Sequence, residues 1–277
     1  MNYFLSFFSL VFYCFPLIAQ QTSKVEEANS SKKEIRQQKK QERLAETTRY
    51  FVLELMGTQR SVQDQATSNQ IYDGFGGGIG FGGVQSRQDI RQAFRALGGY
   101  NGLTSFAGVT SHDFWGNFSY AVLRQLNKTN NYKFYLGGQA DILSQVRYTP
   151  ALGNSGLHWE LVGSLGLATR YEQKLKIPWI NKSVQVFGQA HLPLLAYVSR
   201  PIYGITIDGM MQHFIRPIGR IQRFDAELGM QFPIRKNNLN QFRISYQWDI
   251  LRWRDNEVQR VLTGQHHLNF ALLVKMI

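Results

Sequence analysis

Ten charged side chains in this chain occupy positions that a β-strand would turn toward one side. Arg223, Asp225 and Glu227 alternate with Phe224, Ala226 and Leu228; Arg243 and Asp249 alternate with Ile244, Tyr246, Trp248 and Ile250. The same spacing sets Glu54, Asp141, Arg147, Glu160 and Arg170 opposite rows of Leu, Ile, Val and Phe. Successive strand side chains point to opposite faces, so each charge shares a face with polar groups and leaves the other face apolar. Burial of an unpaired charge costs several kcal/mol, so acids and arginines turned into one interior must pair with each other or with water. Two readings follow. The charges are a structural network that fills a narrow interior, or they line a small polar path that biases which solutes enter.

Other candidate chemistry is weaker. Gly78, Ile79, Gly80, Phe81, Gly82 and Gly83 match G-x-G-x-x-G, but the dinucleotide fingerprint needs a βαβ unit, and the surroundings here read as antiparallel. His112, His158, His191, His213, His266 and His267 are the available bases. Barrel hydrolases that act on lipid place a His-x-Ser step on one strand, and the sequence contains none. His191 is expected on the interior face as a hydrogen-bonded structural group. His266 and His267 are adjacent rather than spaced to share a face, and no carboxylate cluster accompanies them. No catalytic residue, metal or cofactor is assigned.

The elements that must position the charges alternate along most of the chain. In 267–277, Leu268, Phe270, Leu272, Val274 and Met276 share one face, and His267, Asn269, Ala271 and Lys275 the other, with Leu273 breaking the rule. Phe224 to Phe232 and Phe242 to Ile250 repeat the pattern, joined by the polar turn 235–240. Val184, Val186, Ala190, Leu192, Leu194, Ala196 and Val198 form another outward row against Gln185, Gln189, His191 and Tyr197, with a bulge expected at Pro193, which cannot donate to a ladder. Rows around 51–55, 114–122, 133–147 and 160–170 bring the total to eight strands. Two weaker ones, 74–84 and 102–110, make ten, within a range of 8–12. Gly74, Gly76, Gly78, Gly80 and Gly82 leave one face of the first of these bare. Ile90, Ala93, Phe94 and Leu97 then recur at helical spacing, so a short amphipathic helix over 86–97 is expected, against the glycine face or on the membrane surface.

No stretch beyond residue 20 is long and apolar enough for a membrane helix, but alternating strands keep average hydropathy low while one face suits lipid. In lipid every backbone polar group must be paired within the protein, which leaves the closed barrel as the all-β solution. Short turns at 127–131, 174–182 and 235–240 are expected on the periplasmic side, and the longer connections 199–217 and 251–264 outside. Trp115, Trp159, Trp248 and Trp253 fall near outer strand ends and Trp179 in a periplasmic turn, as two aromatic belts would require.

Residues 1–19 are apolar, lack charge and end Leu17-Ile18-Ala19, the form of a signal peptide. Cys14, the single cysteine, lies within them, so a mature chain has no thiol chemistry. Residues 20–48, with Lys32, Lys33, Arg36, Lys39, Lys40 and Arg43 among glutamates, bury nothing and read as a periplasmic tail. The formal charge of +12 points to anionic lipid head groups, to an anion-favouring interior or to solvated loops.

In its signal, its alternating strands, its asymmetric turns and its terminal strand, the chain resembles small bacterial outer-membrane β-barrel proteins over residues 49–277. Terminal strands of that class often end in Phe; here the last residue is Ile277. The resemblance implies an antiparallel up-and-down transmembrane barrel in the Gram-negative outer membrane. The expected role is non-enzymatic, structural or binding, with a lipid-modifying hydrolase or a narrow solute channel as alternatives. Expected partners are outer-membrane lipids or lipopolysaccharide and other envelope proteins, with no nucleic acid. Tyr203, Met210, Met211 and Phe214 make the loop 200–217 the expected contact surface.

Overall fold

Long alternating runs in the sequence become antiparallel strands, and the last of them pairs with the first. The computed structural model describes residues 47–65, 68–127, 132–177, 182–201, 211–217, 221–234, 240–254 and 260–276. The strands are β1 (Thr47–Asp64), β2 (Ser68–Arg87), β3 (Ile90–Ser105), β4 (Thr110–Gln125), β5 (Tyr132–Tyr148), β6 (Leu157–Ile177), β7 (Lys182–Pro201), β8 (Met211–Pro217), β9 (Ile221–Pro233), β10 (Asn240–Arg254) and β11 (Arg260–Met276). A short 3₁₀ segment, Pro150–Gly156, joins β5 to β6. Both β8 and β9 lie along β7, at different heights, and so make one interrupted stave. Ten staves therefore close into an antiparallel barrel through the β1–β11 and β6–β7 pairings.

The β1–β11 pairing joins the first strand to the last, so neither is left as an edge that hydrocarbon would strand without hydrogen-bond partners; among the described residues β8 pairs with β7 alone. Along β1, Phe51, Leu53 and Leu55 face out while Val52, Glu54, Met56, Thr58, Arg60, Val62 and Asp64 are buried inside. The same split recurs on β10, where Ile244, Tyr246 and Ile250 face out and Arg243, Ser245, Gln247 and Asp249 face in. β6 has 21 residues and β10 has 15, more than the roughly 9–11 that a tilted strand needs to cross a bilayer. The start of β1 and the end of β11 share one rim, Arg49 lying opposite Met276. That rim also carries the two-residue turn between β2 and β3, where Gln88 takes φ 47°.

This turn overturns the helix expected over 86–97. Those residues are the end of β2, the turn and the start of β3. Ile90 and Phe94 face out, while Ala93 packs inward and Leu97 is buried. Apolar residues on both faces mimicked a helical repeat because this strand end meets lipid outside and packed side chains within. The strand expected at 102–110 is correspondingly the end of β3 and its turn into β4.

The glycine row of β2 faces the lumen, and side chains from the two neighbouring strands meet above it. Thr58 of β1 hydrogen-bonds Asn101 of β3 over Gly76, which lies opposite both. Met56, Leu97 and Trp115 form an apolar cluster above Gly78. Glu54 of β1 reaches Arg95 of β3 past Gly80 and Gly82. A Cβ on Gly80 would stand 2.3 Å from Leu97 Cδ2, and one on Gly76 would meet the Tyr100 carbonyl at 1.9 Å. The bare face is a corridor for cross-strand contacts, filled by side chains of β1 and β3 and not by a helix.

In β7 the pairing slips by one residue at Leu194, next to Pro193, so that Leu165 faces Leu195 and Gly166 faces Pro193. A one-residue slip exchanges the two faces. Ala196 and Val198, expected outside, are therefore buried within, where they join Leu143, Val162, Leu251, Trp253 and Val261. The tryptophans also divide. Trp115 and Trp253 are buried in the lumen, Trp159 and Trp248 are half-buried on the outer face, and Trp179 lies outside the described residues. Tyrosines supply much of the outer aromatic surface, in the pairs Tyr100–Phe114 (5.1 Å), Tyr246–Trp248 (4.8 Å) and, near the opposite rim, Tyr132–Tyr171 (5.9 Å).

Residues 1–46 lie outside the described set, and Thr47 and Thr48, expected in the tail, already belong to β1. Tyr203 and Met210 also lie outside it. Met211 and Phe214, expected in a loop, have their backbones in β8, opposite Pro201 and Val198.

Two measurements test this arrangement. Gly80→Val should lower unfolding stability in detergent by about 1–3 kcal/mol through overpacking. Gly57→Ala, where an added Cβ meets nothing within 4 Å, should stay within about 0.5 kcal/mol of wild type. With Cys14 replaced by Ser, a spin label at Leu228→Cys should be relaxed by lipid-dissolved oxygen, whereas one at Gln247→Cys should not; equal relaxation contradicts the assigned faces.

Candidate functional site in the lumen

The structure turns Glu54, Asp141, Arg147, Glu160, Arg170, Arg223, Asp225, Glu227, Arg243 and Asp249 into the lumen; all are buried except Asp225, which is half-buried. They do not form one site. They fall into groups that also include charges the sequence reading passed over.

The first group centres on Glu54. Arg95 Nε and Nη2 donate to its Oε2 at 2.9 and 2.6 Å, and Arg243 Nη2 donates to Oε1. Small residues on the intervening strands permit this reach: Ala271 stands between Glu54 and Arg243, and Gly80 with Gly82 between Glu54 and Arg95. Arg95 Nη1 also donates to Gln247 (2.8 Å) and lies 3.7 Å from Glu227. Gln247 in turn donates to Asp225 (3.0 Å). Beside this group, Arg170 donates to Glu172 (2.6 Å) and Gln189 (3.0 Å), with its guanidinium 4.1 Å above the Phe187 ring. Arg91 shares Glu172 at 3.2 Å.

A second group holds Arg223 between two acids. Its Nε and Nη2 donate to Asp249 at 3.2 and 2.9 Å, and Nη1 donates to Asp141 on β5, across the lumen. Ser164 also donates to Asp141, and His191 Nδ1 lies 3.5 Å from the same carboxylate. Toward the other rim, Arg60 pairs with Asp113 at 3.2 Å and donates to Gln145 and Gln265. Arg200 of β7 pairs with Asp64 of β1 at 3.1 Å, four staves away, and stacks 4.8 Å from the Trp253 ring. Arg147 joins Asp64 at 3.9 Å, and Glu160 lines the same small cavity of about 10 Å³.

The cation in each of these contacts is an arginine. A planar guanidinium can grip one carboxylate with two N–H groups and reach a second with another, a bidentate geometry that the single nitrogen of a lysine does not offer. Several charges had a legible signal. Arg60 and Asp64 continue the even-numbered row of Glu54, and Glu172 continues that of Arg170. Arg95 was hidden by its assignment to a helix, and Arg200 by the slip in β7.

The arrangement leaves little open space. The larger cavity near the rim that carries the strand termini holds about 60 Å³, and apolar clusters lie at both ends: Val52, Val84, Ala271 and Leu273 at one, and Val62, Tyr72 and Leu103 at the other. Ser164, Asp141 and His191 together have the residue types of a hydrolase, but the serine donates to the acid, and all three are buried. Among the described residues, no group of three or more His, Cys, Asp or Glu is placed to hold a metal ion.

The sequence matches no family model and no curated protein. Among solved structures, the fold is similar to that of the outer membrane protease OmpT from Escherichia coli, with a TM-score of 0.52 at 7% identity, covering 83% of this chain and 96% of that one. Neisserial surface protein A (13% identity, TM-score 0.36, 82% and 97% covered) and the transport unit of the autotransporter AIDA-I from Escherichia coli (11%, 0.42, 82% and 90%) are less similar. At these identities the likeness is one of fold: the closed antiparallel barrel is of the type that OmpT has.

Arg223→Ala should be the most disruptive single change in the network. It strands Asp141 and Asp249 inside the lumen, at a cost of about 3–5 kcal/mol. Adding Asp249→Ala to it should recover part of that loss in denaturant unfolding of the refolded barrel, and no recovery would contradict the pairing.

Proposed function

We propose that this chain is a non-enzymatic barrel of the outer membrane, exported by a cleaved signal at residues 1–19, whose lumen is closed by its own side chains. Its role is structural or binding. The observation that carries this reading is the set of guanidinium–carboxylate contacts between non-neighbouring staves: Glu54 with Arg95 and Arg243, Asp141 with Arg223, and Asp64 with Arg200. A passing solute would have to part these buried pairs, and separating one such pair costs several kcal/mol. Barrel width agrees, since eight staves are filled by side chains and sixteen or more leave a channel; ten lie near the filled end.

The apolar outer belt supports lipids or lipopolysaccharide as the immediate surroundings. Other envelope proteins would be met by the connection 202–210 between β7 and β8 and by the cationic segment 20–48. Catalysis on lipid is the less supported alternative, because Ser164 donates to Asp141 and not to His191, and all three are buried.

The test is conductance. The full chain, refolded into planar bilayers, should leave the current at the level of the bare membrane, and labelled phospholipid in the same preparation should remain intact. Sustained current steps would overturn the closed lumen, and hydrolysis lost on His191→Ala would overturn the non-enzymatic role.

A further inference from the structure

We infer that the half of the lumen nearest the strand termini is a blind cup for a small oxyanion, a phosphate or carboxylate group that enters from that rim. The cup is blind because the network above it closes the lumen, so this inference rests on the closed-lumen reading. Its cavity holds about 60 Å³, room for roughly four to six water-sized groups, which suits a phosphate or a short carboxylate. Arg91, Arg95, Arg170 and Arg243 line it together with Glu54, Asp225 and Glu227, four cations against three acids, and it reaches the strand ends at Arg91, the second residue of β3, and Leu123 near the end of β4.

The lining is incompletely satisfied. Arg170 Nη2, Arg243 Nε, Glu227 Oε1 and both ring nitrogens of His191 are buried without a hydrogen-bond partner, in residues 2–6% exposed. A buried polar group left without a partner is costly, so the contents of the cavity must supply partners. Both oxygens of Glu54 are already taken by Arg95 and Arg243, and Glu172 is shared by Arg91 and Arg170. The unspent donors are therefore guanidinium N–H groups, which match oxyanion oxygens. Glu227 Oε1 can accept from a ligand hydroxyl, which favours a hydrogen phosphate or a hydroxy acid over a fully ionised anion.

The entrance has the matching charge. Lys133, Lys174, Lys176 and Lys275 are exposed at this rim, in phase with the inward Tyr135, Glu172 and Leu273. Among the described residues of the rim, the exposed acid is Asp89, 3.7 Å from Arg124. A mouth lined by one sign of charge concentrates the opposite ion.

Titration of the full chain in neutral detergent with inorganic phosphate, followed by calorimetry, should show saturable one-site binding. Glycerol 3-phosphate, a lipid head-group mimic, separates the sources: tighter binding of the ester assigns the cup to a head group, and tighter binding of phosphate to a free anion. Arg170→Gln should weaken binding at least tenfold. Lys133→Gln with Lys174→Gln, outside the packed lumen and so without effect on folding, should weaken it several-fold and flatten its salt dependence. Absence of saturable binding of either probe, or binding unchanged in the lysine double variant, would overturn the cup and leave a cavity of water only. Silent conductance with no binding removes the cup alone, whereas current steps remove the closed lumen as well.

Discussion

Everything in this barrel follows from one constraint: a polar group facing away from bulk water must find its partner inside the chain. Outside, hydrocarbon forces the backbone into a closed ladder. Inside, the narrow lumen forces side chains to meet across it. Glu54 shows both at once. It sits on the inner face of a paired strand, and its two oxygens are held by arginines from opposite directions, Arg95 on β3 and Arg243 on β10. Removal of either arginine would leave one of the two buried oxygens without its donor, which is more costly than never having placed a carboxylate there.

That pairing needs room, and the sequence provides it by subtraction. Ala271 on one side and Gly80 with Gly82 on the other keep the intervening strands low enough for guanidinium groups to pass. The glycine row of β2 thus serves the lumen rather than the membrane. On the outer face of the same strand, Phe75 and Ile79 are each 71% exposed, as lipid-facing side chains beside small neighbours would be. One strand, bare within and bulky without, lets its two neighbours share contacts.

The filled interior and the cationic rim divide the molecule's charge unevenly. Arginines and carboxylates inside nearly balance, so the excess expected from a formal charge of +12 lies elsewhere, in part as the exposed lysines and arginines around the strand termini.

Alternation alone determined much of this protein. The outward rows of β1, β5, β9, β10 and β11, the inward direction of the ten charges and the count of staves could all be read from residue order, because a strand's two faces obey a period of two and each face meets a different medium. Two features defeated that reading. Apolar residues on both faces of β3 imitated a helix, since both media there accept them. A one-residue slip beside Pro193 reversed the faces of Ala196 and Val198, which no local pattern records. Partner choice lay wholly beyond the sequence: that Arg223 meets Asp141, or Arg200 meets Asp64 from four staves away, depends on which strands closure brings face to face. Residue order sets where a side chain points; only the closed cylinder decides what it meets there.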